Sequence, residues 1–266
     1  MLLSIFFQPV LMIKSIFLFL KKIGVIRLYR NMKNLLPEKV IKWVHGLSAK
    51  YDPSPLVIVE ELKPQYENAI RLLVRLVGST NLGDYLEFGV AHGTSLICMH
   101  ESLQKAEIRN VRLFGFDSFE GLPDNAANDT TNDWKPGEFA STLEFTTEKL
   151  TKNGIDWTRT TLVKGWYSDT LTSGLVLKYC IAKASLINID CDLYSSAKEA
   201  LNFCAPLIKD SSVIFFDDWP EEFVGEKQAF EEFLKENQNF IVEEIGTYKP
   251  AGKIFLLQKK GLEKIY

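Results

Sequence analysis

The sequence predicts an α/β fold, a doubly wound and mostly parallel sheet of about seven strands. From residue 84 onward, strand-like and helix-like patterns alternate along the chain. The strand-like segments are apolar throughout, which is typical of parallel strands covered by helices on both faces. The last two, 240–245 and 253–259, have no helix between them, so we expect them to be antiparallel neighbours.

The N-terminal part is predicted to be helical and to precede the sheet. Residues 22–52 have a helical pattern, and 51–55 (YDPSP) form a natural linker. Residues 65–77 place their apolar side chains on one face of an amphipathic helix. We therefore divide the chain into an N-terminal helical extension, 1–52, and a main domain, 53–266.

The elements of the main domain follow in a regular order. The predicted strands are 84–90, 111–117, 160–165, 184–190, 212–218, 240–245 and 253–259. The predicted helices are 94–106, with Thr94 or Ser95 as N-cap, 140–153, one opened by a capping box of Ser196 and Glu199, and 226–236. In such a sheet ligands bind outside the carboxyl ends of the strands, where the strand order reverses.

Composition excludes several classes of protein. The 266 residues are 46% hydrophobic and 24% charged, as in globular proteins and unlike disordered or collagen-like chains. The net charge of −3 argues against a nucleic-acid partner. The four cysteines form no CxxC pair, so we expect reduced, buried thiols in a cytoplasmic protein.

The first twenty residues form an apolar head followed by basic residues. Fourteen of the nineteen residues in 2–20 are apolar, but Pro9 and Lys14 interrupt the run, which makes it a poor membrane span. Three interpretations stay open: a helix lying peripherally on anionic lipid at the inner face of the membrane, a segment docked on the main domain or on a second subunit, and a true start at Met12.

The segment EFGVAHG, 87–93, is a glycine turn between a strand and a helix. Gly89 and Gly93 allow a tight turn and a close approach to a ligand, but their spacing is not that of a dinucleotide-binding motif. Asp117 ends the next strand, where an acid can accept hydrogen bonds from ribose hydroxyls; the alternative is a turn aspartate. These residues favour a nucleoside ligand that carries a cationic group.

Four aspartates are predicted to converge at the ends of two neighbouring strands. Asp190 and Asp192 follow one strand, and Asp217 and Asp218 end the next. Unpaired buried carboxylates are costly, and an all-oxygen ligand set suits Mg²⁺ better than zinc. The alternative is a solvated acidic rim.

Other polar features are less specific. The long loop 122–139 is interpreted as a lid, with Trp134 and Phe139 as apolar contacts that could close over a substrate. We expect His92 to be a turn residue and His100 to lie on the outer part of its helix. No nucleophile turn supports a hydrolase triad.

Five segments together resemble the macrocin O-methyltransferase family. They are YLEFGVAHGTSL, GFDSFEGLP, KGWYSDTL, INIDCDLYSSAKEAL and VIFFDDW, in the order typical of that family, and the resemblance covers about residues 65–258. It implies a class I methyltransferase (Rossmann-like) fold, S-adenosylmethionine and a divalent cation as cofactors, and methylation of hydroxyls, mostly on sugars of antibiotics.

The resemblance also implies roles for individual residues. By position, three aspartates are similar to metal ligands (Asp190, Asp217, Asp218), and Asp192 is similar to a general base. The residues similar to cofactor contacts are Glu87, Gly89, Ser95, Asp117 and Ser118, to which the glycine turn adds Gly93.

Three alternatives remain beside a sugar O-methyltransferase that acts as a homo-oligomer. A metal-dependent O-methyltransferase of catechols or phenols would use the same carboxylates. A nicotinamide-dependent oxidoreductase is disfavoured by the missing G-x-G-x-x-G pattern. A non-catalytic, membrane-associated partner in surface-glycan assembly would account for the apolar, basic head.

Overall fold

A seven-stranded sheet in the order β3-β2-β1-β4-β5-β7-β6 forms the centre of the computed structural model. The structure describes residues 57–126, 129, 134–219, 225–249 and 251–261. The predictions for the apolar head, for the helix 22–52 and for the linker and domain boundary lie outside these residues. The strands are β1 (Asp84–Phe88), β2 (Leu113–Asp117), β3 (Thr160–Lys164), β4 (Ala184–Ile189), β5 (Ser211–Phe216), β6 (Phe240–Tyr248) and β7 (Gly252–Lys259).

The sheet has the predicted doubly wound topology. Strands β1 to β5 pair in parallel, and β7 is antiparallel to both β5 and β6. The prediction that the last two strands are antiparallel neighbours is therefore confirmed. The chain runs from β1 outward to β3 and then returns to place β4 on the other side of β1, so the strand order reverses between β1 and β4.

Helices cover both faces of the sheet. The helices of eight or more residues are α1 (Val59–Val77), α2 (Thr94–Lys105), α3 (Leu143–Lys152), α6 (Tyr194–Cys204) and α7 (Glu226–Glu236), with two shorter ones, α4 (Tyr167–Thr170) and α5 (Ser173–Tyr179). Residues of α1 and α2 pack against one face with Tyr85 and Phe215, and residues of α6 and α7 pack against the other with Phe88 and Phe216. Successive strand residues point to opposite faces, so a strand buried on both sides is apolar throughout.

Several predicted details are wrong. Helix α2 begins after Gly93, whose φ of 71° makes the turn, with no side-chain cap from Thr94 or Ser95. Helix α6 begins at Tyr194 after Leu193, ahead of the predicted Ser196 capping box. The two short helices α4 and α5 were not predicted, because segments of four and seven residues are too short to show helical periodicity.

Two predictions about single side chains are also corrected. His100 is 1% exposed and not on the outer part of α2, and its Nε2 accepts a hydrogen bond from the Asp156 N–H at 3.2 Å. All four cysteines are free thiols, but Cys180 is exposed, because it follows the short helix α5 at the surface.

Candidate active site

The ends of β1 and β4 meet in a close backbone contact where the strand order reverses. Gly89 follows β1 with a φ of 92°, and a Cβ on it would lie 1.6 Å from the carbonyl oxygen of Asp190. Only glycine fits a positive φ at such a distance. The glycine turn and the first aspartate of the acidic cluster are therefore adjacent.

Behind the glycine turn lies a buried carboxyl group, that of Glu87. Ser95 Oγ donates to Glu87 Oε1 at 2.8 Å, and the Tyr85 hydroxyl donates to Oε2 at 2.5 Å. Burial raises the pKa of Glu87 to about 8, although both hydrogen bonds oppose the shift. The side chain is enclosed by these partners, so we expect it to position Ser95.

The Asp117 carboxylate holds the glycine turn in place. Its Oδ2 accepts from the N–H groups of Val90 and Ala91, both at 2.8 Å, and its Oδ1 accepts from the Phe119 N–H at 2.6 Å. Burial raises the pKa of Asp117, and the three N–H groups counteract this. Asp117 thus has the role of a turn aspartate, which was the alternative interpretation from the sequence. Since a carboxylate has about four acceptor positions, about one remains that a ribose hydroxyl could use.

Three aspartates at the ends of β4 and β5 form a cluster suited to a metal ion. Asp190, Asp217 and Asp218 each bring a carboxylate oxygen within 4.8 Å of the others. The prediction that these aspartates converge at the ends of two neighbouring strands is therefore confirmed. Asp192 follows in a left-handed turn, with a φ of 63°, and its carboxyl group is a close neighbour of that of Asp218.

The cluster carries more negative charge than its surroundings neutralise. Burial and the neighbouring carboxylate of Asp217 raise the pKa of Asp190 well above its usual value. Burial and the neighbouring Asp218 have the same effect on the pKa of Asp192. A cation among these groups would remove the repulsion, so the all-oxygen set fits a hard divalent ion.

The ammonium group of Lys249 lies against the cluster, and nothing in the sequence pointed to this residue. Lys249 Nζ forms an ion pair with Asp217 Oδ2 and lies 4.0 Å from Asp218 Oδ1. The buried Tyr248 hydroxyl donates to Asp217 Oδ1 at 3.1 Å. Burial lowers the pKa of Lys249, but the charges of the neighbouring carboxylates and the hydrogen bond to Asp217 together outweigh burial, so the net pKa is raised. Asp217 is therefore the most firmly held of the three carboxylates.

A second missed residue is the buried acid Glu226, at the start of α7. It is 0% exposed, and its two carboxylate oxygens accept hydrogen bonds from the Cys191 and Asp218 N–H groups. Burial and the neighbouring Asp218 raise its pKa. Neither Glu226 nor Lys249 belongs to a recognisable motif. Lys249 lies 32 residues from Asp217, and Glu226 lies 35 residues from Cys191 but only 8 from Asp218.

A cavity of about 500 Å³ extends from the glycine turn to the acidic cluster. Of the predicted cofactor contacts, Gly89, Ser95, Asp117 and Ser118 line it, as do all four aspartates of the metal and base predictions, whereas Glu87 and Gly93 lie behind its wall. The volume is in the range of small-molecule sites, about 300–1,000 Å³.

The described part of the predicted lid covers one side of this cavity. Trp134 and Phe139 line it and contact each other with ring centroids 5.0 Å apart. They pack with Leu122 and Leu193. Asp129 Oδ2 accepts from the Ser195 N–H at 2.9 Å and so satisfies the start of α6. The loop is thereby attached to the element that follows the acidic cluster.

His92 lies in the turn, as expected, and also on the cavity wall. Its ring packs on Phe145 at 5.5 Å. Burial, with a smaller effect of nearby Lys149, lowers its pKa to about 4, so the imidazole is neutral at neutral pH.

The sheet order, the antiparallel β7 and a cavity at the reversal of strand order define the class I methyltransferase fold. Two solved structures share it: the O-methyltransferase NovP, with a TM-score of 0.59 and 22% identity, and the calicheamicin methyltransferase CalS11, with 0.58 and 24%. The matches cover 73% of this chain and 79% of NovP, and 75% of this chain and 80% of CalS11. A family model described as macrocin O-methyltransferase (TylF) matches residues 67–248, and the chain belongs to this family.

Two curated relatives come from Streptomyces. Demethyldecarbamoylnovobiocin O-methyltransferase of Streptomyces niveus is 25% identical over 159 residues, which are 58% of this chain and 59% of the relative. The 8-demethyl-8-(2,3-dimethoxy-alpha-L-rhamnosyl)-tetracenomycin-C 4'-O-methyltransferase of Streptomyces olivaceus is 28% identical over 143 residues, 52% and 53% of the two chains. The matched region thus spans little more than half the length of either relative.

Proposed function

We propose that the protein is an S-adenosylmethionine-dependent and Mg²⁺-dependent O-methyltransferase that acts on a hydroxyl of a sugar or a glycosylated small molecule. The observation that carries this proposal is the single cavity that joins the glycine turn to the acidic cluster. A methyl donor and an acceptor must lie side by side for transfer, and one shared cavity provides that proximity.

At the glycine end, the chain's own residues would bind the cofactor. Gly89 presents its backbone on the cavity wall, Ser95 and Ser118 offer hydroxyl groups, and Asp117 offers its remaining acceptor position. Glu87 and Gly93 would support this wall from behind, through Ser95 and through the turn into α2.

At the acidic end, Asp190, Asp217 and Asp218 would hold the metal, since their oxygens already lie within 4.8 Å of one another. When bound, S-adenosylmethionine would supply the methyl group from its sulfonium, and the cation would lower the pKa of the acceptor hydroxyl. Asp192, on the cavity wall but outside that trio, would accept the hydroxyl proton.

The sugar acceptor is supported by family membership and by the name of the Streptomyces olivaceus relative, which includes a rhamnosyl group. We further propose that the protein is cytoplasmic, forms a homo-oligomer and has no nucleic-acid partner. Among the described residues, no helix has the length and apolarity needed to span a bilayer. Peripheral contact through residues 1–20 would appear as sedimentation with anionic vesicles that weakens as salt is raised.

The test is a methyl-transfer assay on the full-length protein. It uses labelled S-adenosylmethionine with a panel of glycosides and catechols, each with Mg²⁺ and with a chelator. Label transfer to a glycoside that stops on chelation is expected. Transfer only to catechols, or transfer unaffected by the chelator, would contradict the proposed acceptor or the proposed metal, respectively.

A further inference from the structure

Glu226 links the two loops that carry the acidic cluster. It is the first residue of α7 and is completely buried. Its Oε1 accepts from the Cys191 N–H at 3.3 Å, and its Oε2 accepts from the Asp218 N–H at 3.0 Å. One side chain therefore bonds the backbone after β4 and the backbone after β5.

These two N–H groups lie beyond the last hydrogen bonds of the sheet. The ladder ends where Asp190 N donates to Phe88 O and Asp217 N donates to Ile189 O, both near 3 Å. From there the two loops leave the sheet, and buried N–H groups need another acceptor. The Cys191 peptide lies between Asp190 and Asp192, so fixing it also fixes the aspartates on either side.

Glu226 does not line the cavity, and both of its oxygens face backbone donors. It is thus placed to act through the aspartates and not on the substrate. A carboxylate suits this position because both of its oxygens accept, whereas glutamine has one accepting oxygen and one donating NH₂ group.

We propose that Glu226 is a positioning residue that sets the separation of Asp190 and Asp218 across the cation site. This inference rests on the proposed metal-dependent function. Groups that orient the ligands of a metal typically contribute 10- to 100-fold to metal affinity. Glu226→Gln would place an NH₂ group against one N–H donor and so push one loop away from the other.

The test compares Mg²⁺ and Mn²⁺ affinity in the full-length wild type, Glu226→Gln and Glu226→Asp by calorimetry. Glu231→Gln, on an exposed position of the same helix, is the matched control. We expect Glu226→Gln to raise the metal Kd at least about 10-fold. Glu226→Asp, which keeps two acceptor oxygens, should lie between it and the wild type. The S-adenosylmethionine Kd should stay within about twofold, because the cofactor end of the cavity is untouched.

Each other outcome overturns a specific statement. If the wild type binds the metal and Glu226→Gln binds it equally well, the positioning role is wrong while the proposed function stands. If Glu226→Gln lowers the cofactor affinity and the melting temperature along with the metal affinity, Glu226 only stabilises the fold in general and the positioning role is wrong. If Glu226→Gln does not fold, Glu226→Asp decides by the same comparison. A wild type that binds no divalent cation overturns both this inference and the proposed metal dependence.

Discussion

Replacing Gly89 with alanine tests the contact between the two halves of the site. The new Cβ would lie 1.6 Å from Asp190 O, whereas real Cβ contacts are essentially never under 3.0 Å, so the backbone must separate by about 1.4 Å. The positive φ costs about 1–3 kcal/mol for a residue other than glycine. Forced overlap in a packed region costs about 1–3 kcal/mol more. We therefore expect Gly89→Ala to lower the free energy of unfolding by about 2–6 kcal/mol.

Gly154→Ala is the matched control. Gly154 has a φ of 73°, but a Cβ there would meet nothing within 4 Å. Gly154→Ala should therefore lower the free energy of unfolding only by the cost of the left-handed backbone, about 1–2 kcal/mol. Urea unfolding with a melting curve measures both variants, and 1 kcal/mol corresponds to about 2–4 °C in a domain of this size. If Gly89→Ala loses no more stability than Gly154→Ala, the close approach of β1 and β4 is not present in solution.

The remaining predictions concern four acidic side chains. Asp190→Asn should weaken Mg²⁺ binding in a calorimetric titration, with partial rescue at high metal concentration. Asp192→Asn should keep metal and cofactor binding and lose about 10²–10⁴-fold in turnover. If Asp192→Asn instead lost as much Mg²⁺ affinity as Asp190→Asn, Asp192 would be a metal ligand. Asp117→Ala should weaken S-adenosylmethionine binding by about 1.5–3 kcal/mol, the contribution of one hydrogen bond to a charged group, without any need for metal, and an unchanged Kd would remove Asp117 from the cofactor site. The pKa of Glu87 is about 8 in the folded protein and about 4.5 in the unfolded chain, so between these pH values only the folded state holds the proton. Stability should therefore fall as pH rises through this window, by up to about 1.4 kcal/mol per unit, and Glu87→Gln should flatten that part of the urea-derived profile.

The fold could be predicted from sequence because its signals are local. Strands buried on both faces are continuously apolar, and the helix 226–236 was predicted with the bounds that the structure shows. The convergence of Asp190 and Asp217 follows from the neighbouring parallel strands β4 and β5. Such patterns repeat every two or 3.6 residues and need no knowledge of distant partners.

The errors arise where distant residues compete for a side chain. The Ser95 hydroxyl was predicted as a cap but donates to Glu87, and Thr94 accepts from Lys149 Nζ at 2.9 Å. Lys249 and Glu226 reach the acidic cluster because the turn between β6 and β7 and the first residue of α7 both lie beside the end of β5. The spacing of these two residues from the aspartates follows no helical or strand period, so no local sequence pattern could have identified them.

The ion pair of Lys249 with Asp217 bears on the order in which the protein is assembled. Small metal-binding domains often stay unfolded without their ion, because nothing else offsets the clustered ligands. In this chain the end of β6 supplies an internal counter-ion, and the Tyr248 hydroxyl engages the other oxygen of the same carboxylate. The polypeptide thus brings its own positive charge to the most buried ligand position, so folding need not wait for a cation to arrive.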